Sequence, residues 1–136
     1  MQYIALRKFL GDSFLPQNVT MPLELRRSPR INVTWRGAFR GADGTILPIK
    51  VINISDSGIL FQCPQPAAIN RDYQMMLEVP HIDHIQEMYK VPCKIHVLHC
   101  ILSGDFFRVG VKFVEISELH RDLLAAWVSL TSKLDP

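Results

Sequence analysis

Two short segments carry residue types whose chemistry packing alone does not require. The first is Arg26-Arg27-Ser28-Pro29-Arg30. Pro29 has no backbone donor and biases Ser28 away from the α region, so the stretch is extended or turning and not helical. Its three guanidinium groups therefore project from a lead-in that can close over something anionic. A guanidinium fork bonds phosphate bidentately, bonds the O6/N7 edge of guanine bidentately, and stacks its flat face on a base. Lysine does not combine all three. Taken alone, the RxxxR spacing is also what a solvated basic run ahead of a domain looks like.

The second segment is Asn53-Ile54-Ser55-Asp56-Ser57-Gly58. With Ile52 and Ile54 turned inward, the period of a strand puts Asn53 and Ser55 together on the outer surface, an amide and a hydroxyl facing one neighbour. Gly58 permits a bend, a positive φ or the close approach of a ligand. Ile49 and Val51 are apolar in the opposite register, which leaves a bulge or two-sided burial open. A polar turn rich in Asn, Ser, Asp and Gly is the plainer alternative.

Other reactive residues form no comparable pattern. Cys63, Cys93 and Cys100 are odd in number and lack a CxxC spacing, so they read as buried free thiols and not as a disulfide framework or zinc site. His81 and His84, like His96 and His99, are three apart where strand or loop is expected, and that spacing on a strand points the two rings to opposite faces. No metal site is expected. GxSxG, HExxH and a phosphate-loop glycine pattern are all missing, so no enzyme is indicated.

The elements that must position the two segments follow from length and periodicity. At 136 residues, 48% hydrophobic and 21% charged, the chain reads as one globular domain and not as a disordered segment. A net charge of +2 is too small to make duplex nucleic acid the default partner. Aromatics in core register argue against a single-strand binding barrel as well. Arg7 and Lys8 split the apolar pieces near the N-terminus, so no secretory signal is expected, and no run approaches the roughly 18 apolar residues of a membrane helix. A cytoplasmic protein without membrane insertion is the expectation.

Residues 1 to 24 read as an extension or linker. Beyond them, short β-rich segments recur at Asn32 to Arg40, Ile46 to Ile54, Ile59 to Cys63, Tyr73 to Val79, Met88 to Ile101 and Phe106 to Val114. Six strands of this length predict a small barrel or sandwich. Asp43-Gly44 and Ser103-Gly104-Asp105 supply hairpin turns, hence antiparallel pairing. Phe107, Val109, Val111 and Phe113 share one face of the last strand, and Val91, Cys93, Ile95 and Val97 one face of the strand before it. Ser117 caps an amphipathic helix to about Lys133, with Leu119, Leu123, Leu124, Trp127, Val128 and Leu130 as its apolar set. That stripe packs within one chain or between two, so monomer and homodimer both stand.

Together these residues resemble the PilZ domain, the bacterial receptor module for cyclic di-GMP. The family pattern is RxxxR followed, about 20 to 30 residues later, by [D/N]xSxxG. Arg26 and Arg30 match the first half, with Arg27 as an additional arginine; Asn53, Ser55 and Gly58 match the second. Arg108-Val109-Gly110-Val111-Lys112-Phe113 looks like the family's closing GvxF strand.

The resemblance covers about residues 24 to 130 and implies a mainly β fold, a six-stranded antiparallel PilZ-type β-barrel at about 31 to 114 with a C-terminal α-helix, the whole domain spanning 25 to 136. It implies cyclic di-GMP as ligand, with no cofactor. Arg26 and Arg30 would take guanine edges, base faces and phosphate, Arg27 phosphate or the second base, and Asn53, Ser55 and Gly58 the floor. An arginine just before RxxxR favours a stacked pair of nucleotides in this family; Leu25 stands there, so one cyclic di-GMP per chain is expected. The signal would pass to a downstream protein controlling motility, pilus, biofilm or exopolysaccharide. The alternative is a PilZ-fold interaction adaptor that acts without nucleotide.

Overall fold

The structure, a computed structural model, describes residues 29 to 134, with side chains as far as residue 131. The extension at 1 to 24, together with Leu25, Arg26 and Arg27, lies outside the described residues. Six strands follow: β1 (Ile31–Arg40), β2 (Ile46–Ile54), β3 (Gly58–Cys63), β4 (Asp72–Pro80), β5 (Met88–Ser103) and β6 (Phe106–Ile116). They close into a barrel in the order β1-β2-β3-β6-β5-β4, every neighbouring pair antiparallel. One helix, α1 (Glu118–Leu134), follows the last strand.

Alternation of apolar and polar side chains drives this closure. Val91, Ile95 and Val97 of β5 and Val109 and Val111 of β6 are shielded from solvent, while Arg108 and Lys112, on either side of the latter pair, face out. Each strand thus contributes one apolar row to a shared interior, where burial is worth about 25 cal/mol per Å² of apolar surface. The two glycine-bearing turns behave as their chemistry requires: Gly44 takes φ 86° and Gly104 φ 65°, a region open to residues without a Cβ. Asp43 helps hold the first turn by accepting the Thr45 N–H at 2.9 Å, which also keeps its carboxyl below the usual range.

Helix α1 stoppers one end of the barrel. Ser117 caps it, its Oγ accepting the His120 N–H at 3.1 Å. Leu124, Ala125 and Val128 are buried, and Trp127 sets its ring edge-on to Trp35 with centroids 5.8 Å apart while its indole N–H donates to the Pro80 carbonyl at 2.9 Å. The apolar set expected of this helix is only partly covered. Leu119 and Leu130 stay 72% and 39% exposed. At 3.6 residues per turn they lie about 140° and about 120° around the helix from Leu124, outside the stripe that meets the barrel.

Candidate nucleotide site

The polar segment at the end of β2 is shaped by a bulge. Pairing with β3 shifts between Val51 and Asn53, and pairing of β1 with β2 shifts between Asn32 and Trp35. On an unbroken strand, residues three apart face opposite ways; here Val51 and Ile54 are both fully buried. Ile52 and Asn53 absorb the extra position and are each half-buried. The expectation that Ile52 points inward thus gives way to the bulge that the sequence left open.

Ser55 differs from expectation because it lies just past the end of β2, where the strand period no longer applies. It does not share the outer surface with Asn53 but is wholly buried. Its Oγ accepts the N–H groups of Ser57 and Gly58 at 3.2 and 3.1 Å and reaches the Gly58 carbonyl at 3.2 Å, while its own N–H donates to that carbonyl at 2.9 Å. The hydroxyl therefore ties the turn between β2 and β3. Replacing Ser55 by alanine is expected to cost about 1–3 kcal/mol, since it strands buried donors. Denaturant unfolding measures this, and an unchanged midpoint would mean the hydroxyl does not hold the turn.

Gly58 begins β3 hard against β6. A Cβ at this position would fall 2.1 Å from the Val111 carbonyl oxygen. Beside it the Phe113 N–H donates to the Ser57 carbonyl at 2.9 Å, and Arg121 of α1 donates through Nη1 to the Asp56 carbonyl at 3.1 Å. The turn is thus fastened to the last strand and to the helix, which leaves Asn53 as its outward-facing amide.

Arg30, the last residue of RxxxR, comes to that amide. Its Nη1 donates to Asn53 Oδ1 at 2.9 Å, across 23 residues of sequence. The two share a recess of about 170 Å³ with Ile59, Leu60, His99 and Gly110. One arginine of the first segment and the asparagine of the second are therefore brought together. Arg26 and Arg27 lie outside the described residues. His99 was not singled out from the sequence as part of this group; the β5–β6 register that brings it here is not a local property.

The remaining reactive groups are engaged elsewhere. Cys63 and Cys93 are buried, Cys100 is half-buried, and all three are free. Burial pushes the Cys93 thiol up to about 12 and raises that of Cys63, so both are neutral near pH 7 and not nucleophilic. His96 Nδ1 lies 2.6 Å from Asp72 Oδ1, and His81 stacks on Tyr89 with centroids 3.8 Å apart. Among the described residues no cluster of three or more His, Cys, Asp or Glu converges on a metal position. No helix there is long and apolar enough to cross a membrane.

Several solved structures share the fold. The Bacillus subtilis inhibitor of motility (MotI/DgrA) matches with a TM-score of 0.70 at 11% identity, over 90% of this chain and 58% of that one. The PilZ domain with c-di-GMP of YcgR from Escherichia coli matches at 0.56 and 14% identity, over 79% and 92%. The MrkH–c-di-GMP complex of K. pneumonia matches at 0.59 and 15% identity, over 87% and 57%. This chain thus spans less than two thirds of the first and third. No curated protein matches it. The PilZ domain pattern matches residues 24–130, taking in both polar segments, the closing strand and most of the helix. The chain belongs to the PilZ domain family.

Proposed function

We propose that this protein is a cyclic di-GMP receptor that passes the signal to a partner protein. The observation that carries the reading is the Arg30–Asn53 hydrogen bond at 2.9 Å, which joins the two halves of the family's motif beside an open recess. Arg26 and Arg30 take guanine edges, base faces and phosphate, and Arg27 phosphate or the second base. Asn53 and the backbone at Gly58 form the floor, and Ser55 serves that floor by fixing the turn. Two of the similar structures hold c-di-GMP, in line with this assignment.

Closing the arginine lead-in over the nucleotide costs backbone entropy, and the fixed loop is what a partner would read. The extension at residues 1 to 24 adjoins that loop in sequence and is the segment such ordering would reposition. The receptor works in the cytoplasm without catalysis of its own, and its output lies in motility, pilus, biofilm or exopolysaccharide control.

Isothermal titration of the full chain tests the reading, with GTP and cyclic di-AMP as controls. Saturable binding selective for cyclic di-GMP is expected, with a plateau at one nucleotide per chain because Leu25 stands where an arginine would favour a stacked pair. A plateau at two overturns that stoichiometry. No binding by a folded sample overturns the receptor and leaves the nucleotide-independent adaptor.

A further inference from the structure

The recess beside Arg30 and Asn53 has a third polar wall, which comes from β5. Pairing of β5 with β6 shifts between Val97 and His99, and His99 then stands opposite Gly110. A Cβ at position 110 would fall 2.1 Å from His99 Nε2, 2.4 Å from Cε1 and 2.8 Å from Cδ2. The nearest atoms are thus the whole distal edge of the imidazole. The ring leaves its own strand, lies across β6, and fills the space that any other side chain at 110 would take.

Register extends the row. Gly110 pairs with Leu60 of β3, and Leu60 with Asn53 of β2. At a strand spacing of about 4.8 Å, Asn53 and His99 are three strands, or about 14 Å, apart at the backbone. Their side chains and that of Arg30 converge from either end of this span on the recess they share with Leu60. An aliphatic floor with polar groups at both ends suits a planar base, whose face is apolar and whose edges hydrogen-bond.

We propose that His99 is a ligand-binding residue of this site, facing Arg30 and Asn53 across the recess, and that Gly110 is the residue that admits it. The inference rests on the receptor reading above. A neutral imidazole offers one donor and one acceptor, and guanine presents O6 and N7 as acceptors with its N2 amino group as donor. His99 thus reads a base edge while Arg30 reads another, and it contributes to the choice of guanine over adenine. His99 is solvent-exposed, so its imidazole is available to a ligand without unfolding a strand.

The test is titration of cyclic di-GMP into the full-length wild type, H99A, G110A and H99A/G110A, each first shown to be folded by circular dichroism. His99→Ala is expected to weaken binding about tenfold, within the range for losing one base contact. Gly110→Ala is expected to weaken it similarly, because the new methyl displaces the ring, and the double variant to be no weaker than the worse single one. The protein has five histidines. The imidazole NMR signal that disappears in H99A should shift in the wild type when cyclic di-GMP saturates it, which a merely structural residue would not require.

Wild-type binding that H99A retains in full, with that signal unmoved, overturns the role of His99 and leaves the receptor standing. No binding by the wild type overturns both. Should G110A not fold, H99A and the imidazole signal still decide.

Discussion

A folded R26A/R30A double variant is expected to lose cyclic di-GMP binding over the concentration range in which the wild type saturates. Each arginine that grips a guanine edge bidentately is worth about 1–3 kcal/mol, and the two losses add where the contacts are independent. The combined weakening is then on the order of a hundredfold or more, since each 1.4 kcal/mol is a factor of about ten. The barrel should not notice. Arg30 is exposed, and its bond to Asn53 is made on the outside of β2, away from the interior that holds the strands together. The free energy of unfolding should therefore stay within about 0.5 kcal/mol of the wild type. Arg30→Lys is the sharper companion, because it keeps the charge and removes the fork; strong recovery would assign Arg30 to phosphate and not to a base edge. Titration and thermal unfolding on the same samples separate the two effects. Wild-type affinity in a folded double variant would sink the arginine assignment.

What the sequence makes legible is whatever depends on neighbours along the chain. The alternation of Phe107, Val109, Val111 and Phe113 marks the inner face of β6, and Gly44 and Gly104 mark turns because each occupies a positive φ. The strand ends agree with expectation to within a few residues for the same reason. The closed order is a different matter, because β3 beside β6 and β4 beside β1 are pairings between segments far apart in sequence. The bulge at Asn53 belongs with them. Local pattern shows apolar residues in both registers around it, and only closure of the barrel decides that Val51 and Ile54 both face in. His99 crosses to Gly110 through a register shift of this kind, and Ser55 turns inward where β2 ends and the chain bends back to Gly58. The motif thus names residue types that belong together, while the division between ligand contact and turn support depends on the tertiary register.

Gly58 is where that division can be measured. From the sequence, its lack of a side chain serves a bend, a positive φ or a ligand's approach. In the structure its φ is not positive, and the space a Cβ would need is taken by the backbone of β6: the Val111 carbonyl oxygen at 2.1 Å, with Lys112 Cα and the Val111 carbonyl carbon at 3.1 Å. A flexible side chain could swing aside; a paired strand cannot. Gly58→Ala must therefore push β3 away from β6 at the pair Gly58–Lys112, beside the Ser57–Phe113 hydrogen bond. The expected cost is about 3 kcal/mol, the upper end for overpacking a close contact, or a drop in the thermal midpoint on the order of 10 °C. Binding should fall as well when measured at a temperature where the variant is still folded, because the Ser55 turn that carries Asn53 is closed through the same glycine. A variant as stable as the wild type but unable to bind would reverse the assignment: the glycine would then be there for the ligand, and β6 would have room to give. Loss of stability with weakened binding places Gly58 in the framework and leaves Asn53, with the arginines, to meet the nucleotide.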